Sequence, residues 1–184
     1  MTDSPTPRVR RSEIVFSGRV FRVERDEVEL AGGILTTLDI VRHRGSVVLV
    51  PQPSPDEIVL VHQYRHAIGR WIWEVPAGTL EPGEPPEDAA RRECEEEIGW
   101  TPGRVTRIGA FYPTPGFCDE LMIFYRLEDL RRLSVAVAKD ADEQIEPRVF
   151  RLTAVRALLQ QGALVDLKTA LALGLIDTID RPQG

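Results

Sequence analysis

The sequence predicts an α+β sandwich with mixed β-sheets, in which strands outnumber helices. Short apolar runs bounded by turn-forming residues recur from residue 18 to residue 152, and only three segments have the pattern of helices. Because strands and helices do not alternate regularly, a sheet built from repeated β-α-β units is disfavoured. The 184 residues, 42% of them hydrophobic, are sufficient for a domain with its own core.

The elements are predicted in order along the chain. Residues 1–12 are polar and contain prolines, so a frayed tail is expected there. A hairpin is expected over residues 18–42, with its turn at Gly32-Gly33. Further strands are predicted at residues 46–50, 58–62, 71–75, 107–112, 121–125 and 148–152. Helices are predicted at residues 87–98, 153–161 and 167–175. We therefore divide the chain into an N-terminal segment, residues 1–42, and a domain, residues 43–184.

Composition limits the classes of partner. A net charge of −6 argues against a general nucleic-acid binder, because phosphate contacts dominate that affinity and need a basic surface. The first eleven residues lack the apolar core of a signal peptide, and no apolar run has membrane-spanning length. The cysteines, Cys94 and Cys118, predict neither a disulfide framework nor a zinc site. A cytoplasmic protein with no membrane or nucleic-acid partner is therefore expected. A small anionic substrate remains compatible, since a bound metal ion can reverse the local field.

The predicted helix over residues 87–98 concentrates carboxylates on one side. At about 100° per residue, its apolar stripe consists of Ala90, Cys94 and Ile98. The carboxylates beside this stripe belong to Glu93, Glu96 and Glu97. Like charges this close repel one another, and a carboxylate at the edge of the core must be paired, protonated or metal-bound. A hard cation such as Mg²⁺ prefers oxygen ligands. The helix taken alone is more typical of a solvated acidic face, so its flanking residues decide between the two interpretations.

Those flanking residues form a known motif. The segment at residues 78–100 resembles the Nudix box, G-x5-E-x7-R-E-U-x-E-E-x-G-U, where U is a bulky apolar residue. All seven fixed positions match in register, with Cys94 and Trp100 at the two U positions. The resemblance implies a Nudix hydrolase, with an α/β/α sandwich and a mixed sheet. It also implies that Glu93, Glu96 and Glu97 bind Mg²⁺, with Mn²⁺ as an alternative.

The chemistry implied by the box follows from its residue types. Gly78 is expected to allow a tight turn after a strand. Glu84 and Arg92 are expected to form an ion pair that holds the loop to the helix. A metal ion between carboxylates and substrate phosphates stabilises developing charge and lowers the pKa of bound water.

The resemblance extends to the ADP-ribose pyrophosphatases within this family. It is carried by residues 62–66 (HQYRH), 73–78 (WEVPAG), 111–120 (FYPTPGFCDE) and 166–169. It implies that the Ala77 carbonyl is a further metal ligand. It also implies that Arg65 and Arg44 face phosphates, to which a guanidinium can bind bidentately. The residues implied at the ribose end are Thr79, Pro115, Gly116 and Glu120.

The general base is expected in the acidic segment at residues 140–146. In related enzymes a glutamate from a loop after the box approaches the metal ions and the water, and Glu143 is the matching residue here. Glu146 is the alternative, and Glu96 or Glu97 would share in catalysis. Candidates for stacking on the base are Phe21, Tyr64, Trp71 and Trp73, although aromatic residues in strands more often belong to the core. The N-terminal hairpin resembles the extension through which these enzymes dimerise, so a homodimer is expected.

Three functions are weighed. The first is hydrolysis of ADP-ribose to AMP and ribose 5-phosphate. The second is hydrolysis of another nucleotide, such as an ADP-sugar or GDP-mannose; the matches outside the box disfavour a nucleoside triphosphate. The third is a non-catalytic sensor that binds ADP-ribose. Such sensors typically lose box glutamates and carry a DNA-binding domain, whereas this chain retains Glu93, Glu96 and Glu97.

Overall fold

A computed structural model of the protein describes residues 6–134 and 145–180. The described strands are β1 (Arg8–Ser17), β2 (Phe21–Glu29), β3 (Leu35–His43), β4 (Ser46–Pro51), β5 (Glu57–Arg65), β6 (Arg70–Glu74), β7 (Ala77–Thr79), β8 (Trp100–Phe111), β9 (Met122–Arg132) and β10 (Ile145–Arg151). The α-helices are α1 (Pro86–Ile98), α2 (Leu152–Gln160) and α3 (Leu167–Ile179). Within the described ranges no helix is long and apolar enough to cross a membrane. Both cysteines are free thiols.

The chain divides into two compact units. The first contains Met1–Gly45 and Tyr112–Leu121, and the second contains Ser46–Phe111 and Met122–Gly184. The segment Tyr112–Leu121, which the sequence assigns to the second domain, thus belongs with the N-terminal residues. It runs beside β3, where the Val41 amide donates to the Phe117 carbonyl at 2.7 Å.

The first unit is a three-stranded antiparallel sheet in the order β1-β2-β3. The predicted hairpin is present as β2 and β3, with Gly32 and Gly33 at positive φ between them. The expectation of a frayed tail is wrong for residues 8–12, which belong to β1. Charged side chains made this segment look like a tail, but they find opposite charges on β2. Arg10 pairs with Glu29 in this way, and opposite charges across neighbouring strands stabilise a sheet.

Within the described residues, the second unit contains two sheets and three α-helices. One sheet has the order β7-β4-β9-β8, with β4 parallel to β9, and the other has the order β10-β5-β6. This mixture of parallel and antiparallel pairing confirms the predicted α+β class. Every residue of β4 is buried. The core is formed by apolar side chains from β4, β5, β9, α2 and α3.

Strands β8 and β9 are longer than the sequence predicts. Strand β8 begins at Trp100, directly after the last turn of α1, and pairs with β9 from the Trp100–Arg132 pair onward. Pro102 and Gly103 look like a turn when the sequence is read locally. Because β8 lies at the edge of its sheet, a proline is tolerated there despite its missing N–H group.

Candidate active site

Helix α1 ends where the sequence predicts and begins one residue before the predicted start. Pro85 occupies the position before the helix and Pro86 is its first residue, where a missing N–H group costs nothing. Gly99 ends it with a φ of 71°, a left-handed conformation that favours glycine. The helix packs against β4, β7 and β8. Its buried side chains include Cys94, whose pKa burial raises to about 12, and Glu97, which is only 4% exposed.

Arg92 is the centre of an ion-pair cluster on this helix. Its Nε and Nη2 donate to the two carboxylate oxygens of Glu84, at 2.8 and 2.9 Å, which confirms the predicted pair. Its Nη1 donates to Glu93 Oε1 at 2.8 Å and to Glu96 Oε2 at 2.9 Å. The bonds to Glu84 raise the pKa of Arg92 although burial opposes this, and Arg92 lowers the pKa of Glu84. Arg92 therefore fixes the loop to the helix and neutralises part of the acidic face.

Gly78 leaves the space that the Glu93 side chain occupies. A Cβ atom added to Gly78 would fall on the carboxyl group of Glu93. The backbone cannot retreat, because Gly78 pairs with Val47 on β4 and the Pro76 carbonyl accepts a hydrogen bond from the Leu49 amide at 2.9 Å. The sequence predicts a tight turn at Gly78, whereas its backbone lies within β7 and its role is to admit a side chain.

The box side chains fit a divalent cation by their chemistry. Glu93, Glu96 and Glu97 supply the carboxylate oxygens that hard cations prefer, and the space above Gly78 holds one of these groups. Glu97 is a carboxylate at the edge of the core, a position that favours pairing with a cation. Among the described residues, no three acidic, histidine or cysteine side chains are gathered as a ready-made metal cluster. The positive charge beside Glu93 and Glu96 is supplied by Arg92.

Arg65 is oriented by a buried carboxylate that the sequence reasoning missed. Glu74 is 1% exposed, and its Oε1 accepts a hydrogen bond from Arg65 Nε at 2.7 Å. Lys168 Nζ donates to Glu74 Oε2 at 2.6 Å. Burial lowers the pKa of Arg65, but the bond to Glu74 and the negative charges of Glu74, Glu97 and Asp166 outweigh it, so the pKa is raised. An acidic residue between Trp73 and Val75, within an apolar run, was the available signal.

The aromatic candidates of the second unit lie on the opposite face from Arg65. Tyr64 precedes Arg65 in β5, and neighbouring residues of a strand point to opposite faces. The pairs Tyr64–Trp71 and His62–Trp73 therefore share one face of the β5–β6 ladder. On that face the His62 ring lies 4.7 Å from Trp73 and 5.1 Å from Trp71. Phe21, in the first unit, lies beside Phe16.

The remaining predicted contacts are divided between the two units. Ala77 and Thr79 lie in β7, half-buried, in the second unit. Pro115 and Gly116 are exposed in the first unit, where Glu120 Oε1 lies 3.9 Å from His43 Nδ1. Arg44 is exposed and lines a cavity of about 260 Å³ in the same unit, together with residues 17–22, Arg42, His43 and Asp119.

Of the two candidates for the general base, only one has a described position. Glu143 lies outside the described residues. Glu146 is in β10, exposed, and its Oε1 accepts a hydrogen bond from Arg148 Nη2 at 3.0 Å.

Known proteins resemble this chain along most of its length. The NUDIX domain pattern matches residues 41–170. An ADP-ribose pyrophosphatase of Bacillus subtilis (strain 168) is 38% identical over 161 residues, which cover 88% of this chain and 87% of the relative. A methanol dehydrogenase activator of Bacillus methanolicus is 35% identical, over 89% of this chain and 88% of the relative. The crystal structure of an ADP compounds hydrolase has a TM-score of 0.83 and 22% identity, over 97% of this chain and 96% of that one, and shows the same fold.

The fold and the complete box define a hydrolase of pyrophosphate bonds. The chain belongs to the Nudix family, whose members typically use divalent metal ions. The predicted resemblance to ADP-ribose pyrophosphatases is confirmed by the Bacillus subtilis relative.

Proposed function

We propose that this protein hydrolyses the pyrophosphate of ADP-ribose, giving AMP and ribose 5-phosphate. The observation that carries the proposal is the box itself, in which Gly78 leaves space for the Glu93 carboxylate beside Glu96 and the buried Glu97. The choice of ADP-ribose is supported by similarity to the Bacillus subtilis enzyme along most of the chain. The Bacillus methanolicus relative, a methanol dehydrogenase activator, is 35% identical to this chain. Because similarly related proteins carry different names, the substrate needs a direct test.

A Mg²⁺ ion, or Mn²⁺, would be held by the carboxylates of Glu93, Glu96 and Glu97 and by the Ala77 carbonyl oxygen. Such an ion, when bound, offsets the charge of the pyrophosphate and promotes ionisation of water. Glu93 and Glu96 would exchange Arg92 for the ion. Arg92 need not move for this exchange, because Glu84 holds its guanidinium through two hydrogen bonds.

The side chains that bind the substrate are proposed as follows. Arg65 uses only Nε toward Glu74 in the described contacts and is 41% exposed, so its Nη groups can donate to a phosphate. Arg44 is the second phosphate contact. The ribose end is assigned to Thr79, Pro115, Gly116 and Glu120. Glu143 is the proposed base and a metal contact, with Glu146 as its alternative.

We also propose that the protein is a homodimer through its N-terminal segment, residues 1–42, and that β1 is part of the contact. All ten residues of β1 are exposed, including Val9, Ile14, Val15 and Phe16. A strand at a sheet edge with apolar side chains on its surface needs a covering partner, because such an edge otherwise promotes aggregation. A second copy of this chain can supply that cover through a symmetric contact of the same surface.

A substrate screen tests the proposed function. Hydrolysis of ADP-ribose, ADP-glucose, GDP-mannose and dGTP is compared in the presence of Mg²⁺, with the products separated by chromatography. We expect ADP-ribose to give the highest kcat/KM, AMP and ribose 5-phosphate as products, and no turnover in excess chelator. Faster turnover of GDP-mannose or dGTP would contradict the substrate and leave the family assignment intact. Tight binding of ADP-ribose without turnover would indicate a sensor instead.

A further inference from the structure

The geometry points to Lys168 and Asp166, at the start of α3, as positioning residues that set the charge around Arg65 and so the affinity of the site for pyrophosphate. The inference deepens the proposed function and rests on it in one respect, that Arg65 faces the phosphates. Neither residue would touch the substrate. Both would act through Arg65.

The four charged groups form a continuous chain in the second unit. Each oxygen of the Glu74 carboxylate serves a different cation: Oε1 accepts from Arg65 Nε at 2.7 Å, and Oε2 accepts from Lys168 Nζ at 2.6 Å. Lys168 also donates to Asp166 Oδ1 at 2.8 Å. Lys168 and Asp166 are each 11% exposed and Glu74 is 1% exposed. Charges this deeply buried are screened far less than surface charges.

Lys168 keeps the net charge of this cluster from becoming negative. Arg65 and Lys168 carry two positive charges, and Glu74 and Asp166 carry two negative charges, so the cluster is neutral. Without Lys168 its net charge would be −1 immediately beside an arginine that must attract a polyanion. The negative charge of Asp166 reaches Arg65, since it contributes to the raised pKa of that guanidinium. Lys168 therefore keeps the two carboxylates from outweighing Arg65.

The residue type at position 168 fits this role. The chain has 23 basic side chains, and only Lys139 and Lys168 are lysines, so arginine is its usual cation. A compact ammonium group can lie between two carboxylates where a planar guanidinium needs more space. Lys168 supplies such an ammonium group, which contacts both Glu74 and Asp166.

The start of α3 is fixed firmly enough to hold Lys168 in place. Asp166 caps the helix, with its Oδ2 accepting from the Thr169 amide at 2.9 Å and from Thr169 Oγ1 at 2.7 Å. Thr169 Oγ1 in turn accepts from the Val75 amide at 2.8 Å. Val75 directly follows Glu74, so the helix cap and the buried carboxylate are bound to the same stretch of backbone.

A charge test separates positioning from simple structural support. The probe is inorganic pyrophosphate in the presence of Mg²⁺, measured by titration calorimetry, alongside the KM for ADP-ribose. Lys168→Met leaves the cluster at −1, and we expect pyrophosphate affinity to fall about tenfold. Asp166→Asn leaves it at +1 and keeps an amide oxygen to cap the helix. We expect that variant to bind pyrophosphate about two- to threefold more tightly. If the two residues gave only structural support, both variants would bind pyrophosphate more weakly.

Two comparisons show whether the effect passes through Arg65. In an Arg65→Ala background, both changes in affinity should disappear, because coupled residues are not additive. Arg126→Met is the matched control. Arg126 is 14% exposed and lies between Glu128 and Asp180, at 3.3 and 2.8 Å, so the variant removes an equally enclosed cation at the far end of α3. It should lower the melting temperature without changing pyrophosphate affinity.

Several results would overturn the inference. The inference would be wrong if both single variants bound pyrophosphate more weakly, or if Lys168→Met bound it normally. It would also be wrong if the Lys168→Met effect persisted without Arg65. If Lys168→Met does not fold, the sign of the Asp166→Asn effect decides. If the wild-type protein does not hydrolyse ADP-ribose but the two variants shift pyrophosphate affinity in opposite directions, the proposed substrate is wrong and the role of the charge cluster is supported.

Discussion

Replacing Gly78 with alanine tests whether the Glu93 carboxylate is a metal ligand. The new methyl group would occupy the position of the Glu93 carboxyl group, and strand pairing holds the backbone of residue 78 in place. Glu93 must therefore move its carboxylate by roughly 1–2 Å to reach a normal van der Waals separation. Metal–ligand distances tolerate only about ±0.2 Å, so the displaced carboxylate would no longer coordinate the ion.

The cost should fall on metal binding more than on folding. Overpacking a well-packed site costs about 1–3 kcal/mol, and the lower end applies because a glutamate side chain can rotate aside. In a protein of this size each kcal/mol lowers the melting temperature by about 2–4 °C. Mutation of residues that only support metal ligands already weakens metal affinity or activity about 10–100-fold. Loss of a ligand itself should weaken metal affinity by at least that factor. Gly78→Ala should therefore need at least tenfold more Mg²⁺ for half-maximal activity.

The assay is hydrolysis of ADP-ribose as a function of Mg²⁺ concentration, with the melting temperature of each variant. Gly174→Ala is the control, because Gly174 is an exposed residue of α3 whose added methyl group would meet no atom within 4 Å. That variant should be more stable by about 0.5–1 kcal/mol, with an unchanged Mg²⁺ requirement. A normal Mg²⁺ requirement in Gly78→Ala would refute the assignment of Glu93 as a ligand.

Three further outcomes are expected. Glu97→Gln should remove most activity and leave the circular dichroism spectrum unchanged, because charge is lost and shape is kept; substantial turnover in this variant would exclude Glu97 as a ligand. Glu143→Gln should lower kcat by about 10²- to 10⁴-fold with little change in KM, as expected for a group that acts mainly in the transition state. If Glu146→Gln has that effect instead, the base lies three residues further along. Light scattering at micromolar concentration should give the mass of a dimer, and deletion of residues 1–42 should give a monomer or aggregate; a monomeric full-length chain would contradict the proposed interface.

Local signals explain what the sequence predicts correctly. The ends of α1 follow from Pro85-Pro86 and Gly99, which act through their own backbone conformations. The pair between Glu84 and Arg92 joins residues eight positions apart, within the reach of a single motif.

Interactions between distant parts of the chain explain what was missed. Glu74 and Lys168 are 94 positions apart, and no local sequence pattern near either residue predicts that they form a pair. Strand β1 depends on β2 for its pairing, and the start of β8 depends on the end of β9. The space above Gly78 exists only because α1 lies against β7. Such features follow from tertiary packing, which overrides local preference.

Arg92 gives the protein an internal counter-ion. Its guanidinium offsets part of the negative charge of Glu84, Glu93 and Glu96, and its two hydrogen bonds to Glu84 anchor it independently of the other two glutamates. A divalent cation bound by Glu93 and Glu96 would therefore enter a site whose negative charge is already partly offset. A protein built in this way should survive dialysis against chelator as a folded, reloadable apo form. Because a cation must compete with Arg92 for Glu93 and Glu96, small divalent ions should be favoured over monovalent ones.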